Sequence, residues 1–334
     1  MKKKLAVSVM VASLAAAMTA GTAMAQEYKV GILQLVDDAS LNQIEAALEA
    51  ELDAKSAEGE DTFIYAGNVY NGQADATTMN QMTAQMIADE VDVIVPIATP
   101  AAQIVQSATE DNQIPVVFSA VSDPVGAGLV ESMEAPGANI TGTSDALNTT
   151  AILDLMFIAN PDIEYVGLLY SQSEDASKQP IEDAKAYLDE KGVKYIEKTG
   201  TNNTEVSQAA DALVAEGVDV VFTPTDNTIM TAELAIYEKF IDAGIAHYAG
   251  ADSFALNGAF CGYGVDYENL GTATADMVVE ILQGAAPAET GVQTFDNGIA
   301  TVNTETAEAL GLDYSGFAEV CTAVVETVTA EEFE

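Results

Sequence analysis

The 334 residues carry 53 acidic side chains against 11 lysines, with no arginine, one histidine and two cysteines. A formal charge of −42 excludes nucleic acid and anionic membrane surfaces as partners, because both would repel the chain. The cysteines, Cys261 and Cys321, lie outside any CxxC or metal-ligand spacing, so neither a zinc centre nor any other metal or cofactor is expected.

The N-terminus reads Lys2, Lys3 and Lys4, then an apolar run over 5–17, then Ala23, Met24 and Ala25. That is the pattern of a cleavable signal peptide over 1–25; the apolar run is too short to span the ~30 Å of a bilayer core. No later segment offers the roughly 20 apolar residues that a membrane helix needs. No cysteine stands at the cleavage point to carry a lipid, which favours the periplasm of a two-membrane cell, with free secretion as the alternative. Loss of the three leading lysines leaves 8 bases minus 53 acids, a mature charge of −45. This acidity fits either life in salt or a simply well-hydrated exterior. The 309 remaining residues (334 minus 25) exceed one ordinary core and suit two lobes.

In chain order, 30–35 reads as a strand, 41–54 as a helix, 62–69 as a strand, 76–89 as a helix and 91–96 as a buried strand. A helix over 99–110 and a strand over 116–120 follow. The turn-rich stretch 137–148 interrupts the rhythm. It restarts with strands over 165–170, 193–198, 218–223 and 245–250, separated by helices over 175–191, 205–216 and 228–243. A Gly-rich segment leads to a long helix over 270–283, a linker over 285–291, and a last strand and short helix within 295–310. Repeated βα units of this kind predict an α/β fold of two doubly wound parallel-sheet lobes joined by three crossings. The expected division is 26–142 plus 252–288 for the N-terminal lobe and 143–251 plus 289–334 for the C-terminal lobe. Hinges are expected near 141–144, 249–252 and 285–291.

Ligands bind beyond the carboxyl ends of parallel strands, which singles out Gln34, Thr99 and Ala101, Ser119 and Asp123 in the first lobe. In the second lobe the same rule points to Tyr170, Asp226 and Asn227, and Asp252 and Phe254. Ala98-Thr99-Pro100-Ala101 takes a buried strand straight into a helix, with Thr99 as the expected cap, so its amides can hold a carboxylate without a cationic side chain. Ser119 to Gly128 ends a strand with hydroxyls, a carboxylate and glycines. A structural turn would use Asp123, Pro124 and Gly126 in the same way. Asp226 has a competing duty as a helix cap. Asp252, after an apolar strand, is placed to meet an ammonium group, and Tyr170 and Phe254 can supply walls.

Enzyme signatures are scarce. His247 sits within an apolar run as a structural strand residue, and no Ser/His/Asp or Cys/His set, HExxH, phosphate loop or GxGxxG can be completed. Asp37 and Asp38 lack the spacing of a calcium loop. A disulfide between Cys261 and Cys321 and two free thiols fit the sequence equally well. Lys178, Lys185, Lys191, Lys194 and Lys198 cluster in one stretch, read as the solvated face of one helix and the following strand, with a docking patch as the alternative.

The segments 30–34, 98–103, 115–129, 139–145, 225–228 and 250–254 together resemble ABC-transporter substrate-binding proteins of the type I periplasmic-binding class. The likeness is to the branch holding tryptophan- and other aromatic amino-acid-binding members, and it covers essentially the mature chain. The resemblance implies a monomeric carrier that closes about a hinge and delivers a small molecule, preferably an aromatic amino acid, to ABC permease subunits. It also implies carboxylate capture around Thr99 and Ser119 and ammonium pairing at Asp252. A ligand-sensing domain for a membrane receptor is the alternative on the same fold.

Overall fold

A computed structural model describes residues 25–59, 61–295 and 298–330. The expected signal peptide lies outside these apart from Ala25. The first part of the chain runs β1 (Glu27–Gln34), α1 (Ala39–Glu58), β2 (Thr62–Ile64), β3 (Val69–Asn71), α2 (Ala76–Ala88), β4 (Val93–Ile97), α3 (Thr99–Thr109), β5 (Val116–Phe118) and β6 (Ile140–Ser144). The middle adds α4 (Thr149–Ala159), β7 (Tyr165–Tyr170), α5 (Asp175–Lys191), β8 (Lys194–Thr199), α6 (Asn203–Glu216), β9 (Val220–Thr223), α7 (Asn227–Met230), α8 (Tyr237–Asp242), β10 (Ala246–Ala249), α9 (Asp252–Leu256) and β11 (Cys261–Gly264). Last come α10 (Tyr267–Leu282), β12 (Gln293–Thr294), β13 (Ile299–Asn303), α11 (Thr304–Leu310) and β14 (Ala323–Thr327).

Among the described residues the strands form two seven-stranded sheets. One has the order β12-β6-β5-β4-β1-β2, with β3 also paired to β1, and the other β14-β13-β11-β10-β9-β7-β8. Every pairing is parallel except β11 with β13. Strands covered by helices on both faces need no polar alternation, and β4 (Val-Ile-Val-Pro-Ile) is buried at every position. The expected two-lobed α/β fold is what the chain adopts.

The chain exchanges sheets after β6, after β11 and after β12. The second and third exchanges differ from the expected division at 251/252 and 288/289. Residues 261–264 pair with β10 and β13 in the second sheet, and Gln293–Thr294 pair with β6 in the first. Cys-Gly-Tyr-Gly carries little intrinsic strand preference; it is a strand because partners flank it. The same holds for β6, Ile-Thr-Gly-Thr-Ser, within the stretch read as turn-rich: β5 and β12 supply its hydrogen bonds. The expected helix over 228–243 breaks into α7, a 3-10 turn at Glu233–Ala235 and α8, which turns Glu233 inward to full burial beside His247.

The clustered lysines lie on α5 and β8 as expected, and most meet local carboxylates: Lys178 with Asp175, Lys185 with Glu182, and Lys198 with Glu216. Cys261 and Cys321 are free thiols, the former buried. No helix among the described residues is long and apolar enough to cross a membrane.

Candidate functional site

Carboxyl ends of strands from both sheets converge on one narrow, nearly closed cavity of about 30 Å³. The first lobe lines it with Asp38, Ser40, Ala98, Thr99, Ala120 and Ser122, and with Tyr267 from α10. The second lobe contributes Asp226, Asn227, Met230, Ser253 and Phe254, while Asp145 follows β6 at the first crossing.

The N-terminus of α3 opens into this space without a side-chain cap. Its cap residue is Ala98, not Thr99, which occupies the first helical turn with Pro100. The first-turn N–H groups of Thr99 and Ala101 therefore have no intrahelical acceptor, and the end of the helix macrodipole favours an anion there. Ala98 (φ 80°) and Ala120 (φ 53°) both hold left-handed backbone, a conformation that costs a non-glycine residue about 1–3 kcal/mol. The Ala98 N–H donates to the Ser119 carbonyl at 2.9 Å, locking the two strained strand ends together at the cavity wall.

Three carboxylates face the same cavity with no cationic side chain in its lining. Asp38 caps α1 by accepting from the Ser40 and Leu41 amides through Oδ1, while its buried Oδ2 has no partner. Burial, then the charge of Asp252, pushes the Asp38 carboxyl up to about 6. Asp145 accepts from Ser122 Oγ at 3.0 Å, and burial raises it to about 6. Asp226 is saturated: it accepts from the Ser171 and Ile229 amides and from Ser177 Oγ, so it is a structural cap. Burial raises it, and raises its neighbour Glu174, to which the charge of Asp226 adds. Ser253 Oγ is also buried without a partner.

The structure brings together Thr99, Asp226, Asn227 and Phe254 of the residues singled out from sequence. The others stand nearby in different roles. Gln34 is buried and donates to the Val36 carbonyl and Asn42 Oδ1. Ser119 joins Thr143 and Thr274 in a buried hydroxyl cluster beneath the site, and Ala101 is buried in α3. Asp123 accepts from the Gly126 amide in a turn, and Tyr170 donates to Glu197. Asp252 is absent from the cavity lining: it accepts from Ser40 Oγ, and from Gln43 Nε2 at 3.0 Å, both on α1. It bridges the lobes at one edge of the cleft, as Gln103 and Asp175 do at another, 2.7 Å apart.

Ser40, Ser122, Asp145, Ser253 and Tyr267 line the cavity without being named as site residues from sequence, and Asp38, considered there only for a calcium loop, lines it too. For Asp38, as for Asp252, the available signal is a carboxylate shortly after an apolar strand, whereas Asp145 follows Ile-Thr-Gly-Thr-Ser, which offers no such signal.

The family model for ABC transporter substrate binding protein matches residues 29–323. The chain belongs to this family. The tyrosine-binding protein of Clostridioides difficile strain R20291 is 32% identical over 287 residues, 86% of this chain and 82% of that one. The crystal structure of a Streptococcus pneumoniae ABC domain in complex with L-Trp superposes with a TM-score of 0.82 at 30% identity, covering 90% of this binding protein and all of that chain. A ligand-free, open substrate-binding protein from Clostridium difficile, 31% identical and covering 91% of this chain and all of that one, gives 0.67. As an ABC substrate-binding protein it is extracytoplasmic, binds a small molecule and is not an enzyme.

The raised carboxylates set a pH dependence. Each has a folded pKa above its unfolded value of about 4, so its protonated form is favoured by folding. The associated stability is fully present below pH ~4 and is lost as pH rises through about 6, or about 7 for Glu174. Asp175, lowered first by its hydrogen bond from Lys178, acts oppositely and loses its contribution in acid. The ligand-free binding protein is expected to be most stable near pH 5 and to melt at lower temperature at pH 8. Calorimetric melting across that range checks this, and a rise in stability from pH 5 to 8 would contradict it.

Proposed function

We propose that this protein is the periplasmic solute-binding component of an ABC importer, and that it closes as a monomer around a zwitterionic amino acid with an aromatic side chain. It then docks on permease subunits to deliver it. The observation that carries this reading is the composition of the interlobe cavity: an uncapped helix start faces three buried carboxylates, and no cation lines it. A free anion would meet those carboxylates with nothing to offset them, and a neutral sugar would leave their desolvation uncompensated. A zwitterion answers both ends, its carboxylate on the α3 amides and Thr99, its ammonium at Asp38 and Asp145. Asp252 is then an interlobe clasp and not the ammonium partner. Phe254, Met230 and Tyr267 are left for an apolar or aromatic side chain.

The tyrosine named for the Clostridioides difficile relative and the L-Trp held by the Streptococcus relative support the aromatic preference. The three sheet exchanges, after β6, after β11 and after β12, are the proposed hinges, with one lobe built on β1–β6, α10 and β12 and the other on β7–β11, β13 and β14.

Calorimetry on refolded, ligand-free protein should give tight binding of tyrosine or tryptophan, weaker binding of leucine, and none of succinate or a sugar. Tight binding of succinate or the sugar with none of the amino acids would overturn the assignment.

A further inference from the structure

His247, the chain's sole histidine, is 2% exposed on β10 and lies behind the cavity wall. Its Nδ1 is 2.8 Å from Glu233 Oε1, and its Nε2 is 2.8 Å from Thr223 Oγ1. Its ring stands edge-on to Phe240 and Phe254, with centroids 5.4 and 6.0 Å away. Glu233 is wholly buried and its second carboxylate oxygen has no partner.

Three of these contacts, to Thr223, Glu233 and Phe254, lead to segments that line the cavity. Thr223 ends β9 and is followed by Thr225, Asp226 and Asn227; Glu233 follows α7, which ends at Met230; and Phe254 lines the cavity itself. A site that needed only packing is filled at lower cost by an apolar side chain, because a buried imidazole–carboxylate pair must be desolvated and replacing such a pair is often neutral or stabilising. What the pair provides is directional attachment at three points. The break between α7 and α8 exists where Glu233 turns in to reach the imidazole.

We propose that His247 is the positioning residue for the second-lobe half of the binding site, tying residues 223–230 to Phe254 and so setting the width of the slot that accepts a flat aromatic side chain. This rests on the interlobe cavity being the amino-acid site. His247 does not touch the ligand; it acts through Phe254 and Met230.

The test is the ratio of affinities for L-tyrosine, L-tryptophan and L-leucine, by calorimetry, in wild type, His247→Leu, His247→Gln and Thr223→Val. His247→Leu should lose about tenfold or more for the aromatic ligands, as expected when two buried hydrogen bonds framing a site are removed, while leucine changes little. His247→Gln, which keeps one amide hydrogen bond, should recover part of the ratio. Thr223→Val removes a single contact and should shift the ratio the same way by less; it carries the test if His247→Leu does not fold. A general loss of stability would move all three ligands together, and an aromatic-to-leucine ratio unchanged from wild type would overturn the inference alone. Wild-type protein that binds none of the three would overturn the ligand reading and this inference with it.

Discussion

Replacing Asp145 or Asp38 by asparagine is expected to weaken aromatic amino-acid binding by about 2–5 kcal/mol, the usual loss when one member of a buried charge pair is removed. The same substitutions should stabilise the ligand-free protein at pH 8. Both carboxyls are buried and raised to about 6, so at pH 8 each is an ionised group with no counter-charge in the cavity lining. An amide removes that desolvation cost while keeping the oxygen that accepts from Ser40 and Leu41, or from Ser122. Opposite signs for affinity and stability are the signature of a group held for function. Asp252→Asn serves as the contrast, because its carboxylate accepts from Ser40 and Gln43 across the lobes. It should weaken tyrosine and its des-amino analogue by the same factor, whereas Asp145→Asn should erase the preference for tyrosine. Calorimetry with the two ligands and thermal melts of the three variants decide this. Equal losses for both ligands in Asp145→Asn would remove it from the ammonium subsite.

Gly271→Ala should destabilise the protein even though alanine favours a helix over glycine by about 1 kcal/mol. Gly271 lies within α10, where that helix packs against α1. A Cβ there would stand 2.4 Å from the Ile44 carbonyl oxygen and 2.9 Å from Ala47 Cβ. The obstacle is backbone, which no rotamer change can move aside, so the two helices must separate. Overpacking of this kind costs about 1–3 kcal/mol or more, which outweighs the propensity gain. The pair also holds Asp38, the cap of α1, and Tyr267, the first residue of α10, at the cavity, so affinity should fall with stability. Urea unfolding measures the first effect, and a midpoint equal to or above wild type would show that the contact can relax.

The long helices and the buried strands β1, β4, β7, β9 and β10 were legible because period and length specify them locally. The two-lobed α/β architecture follows from their alternation, and the ligand-bearing edge follows from the rule that parallel strands aim their carboxyl ends at it. The absence of arginine and the scarcity of lysine in the first lobe also pointed to backbone amides and hydroxyls as the groups to hold a carboxylate.

Strands β6 and β11 escaped because glycine interrupts their apolar pattern, β14 because its valines are short of a buried run, and pairing partners more than 20 residues away supply hydrogen bonds to all three. The division of roles among the carboxylates was hidden for the same reason. Asp38, Asp226 and Asp252 each come shortly after an apolar strand, so local sequence cannot separate them, and Asp145 follows a strand that local sequence does not announce. Contacts between remote segments do: Ser171 and Ser177 saturate Asp226, Ser40 and Gln43 draw Asp252 into a clasp, and Asp38 Oδ2 is left unpartnered in the cavity. A carboxylate's chemistry is set by what desolvates it and what donates to it. The sequence by itself determined that this chain builds two lobes poor in cations, whereas only the tertiary structure decided which acids are saturated by protein donors and which are not.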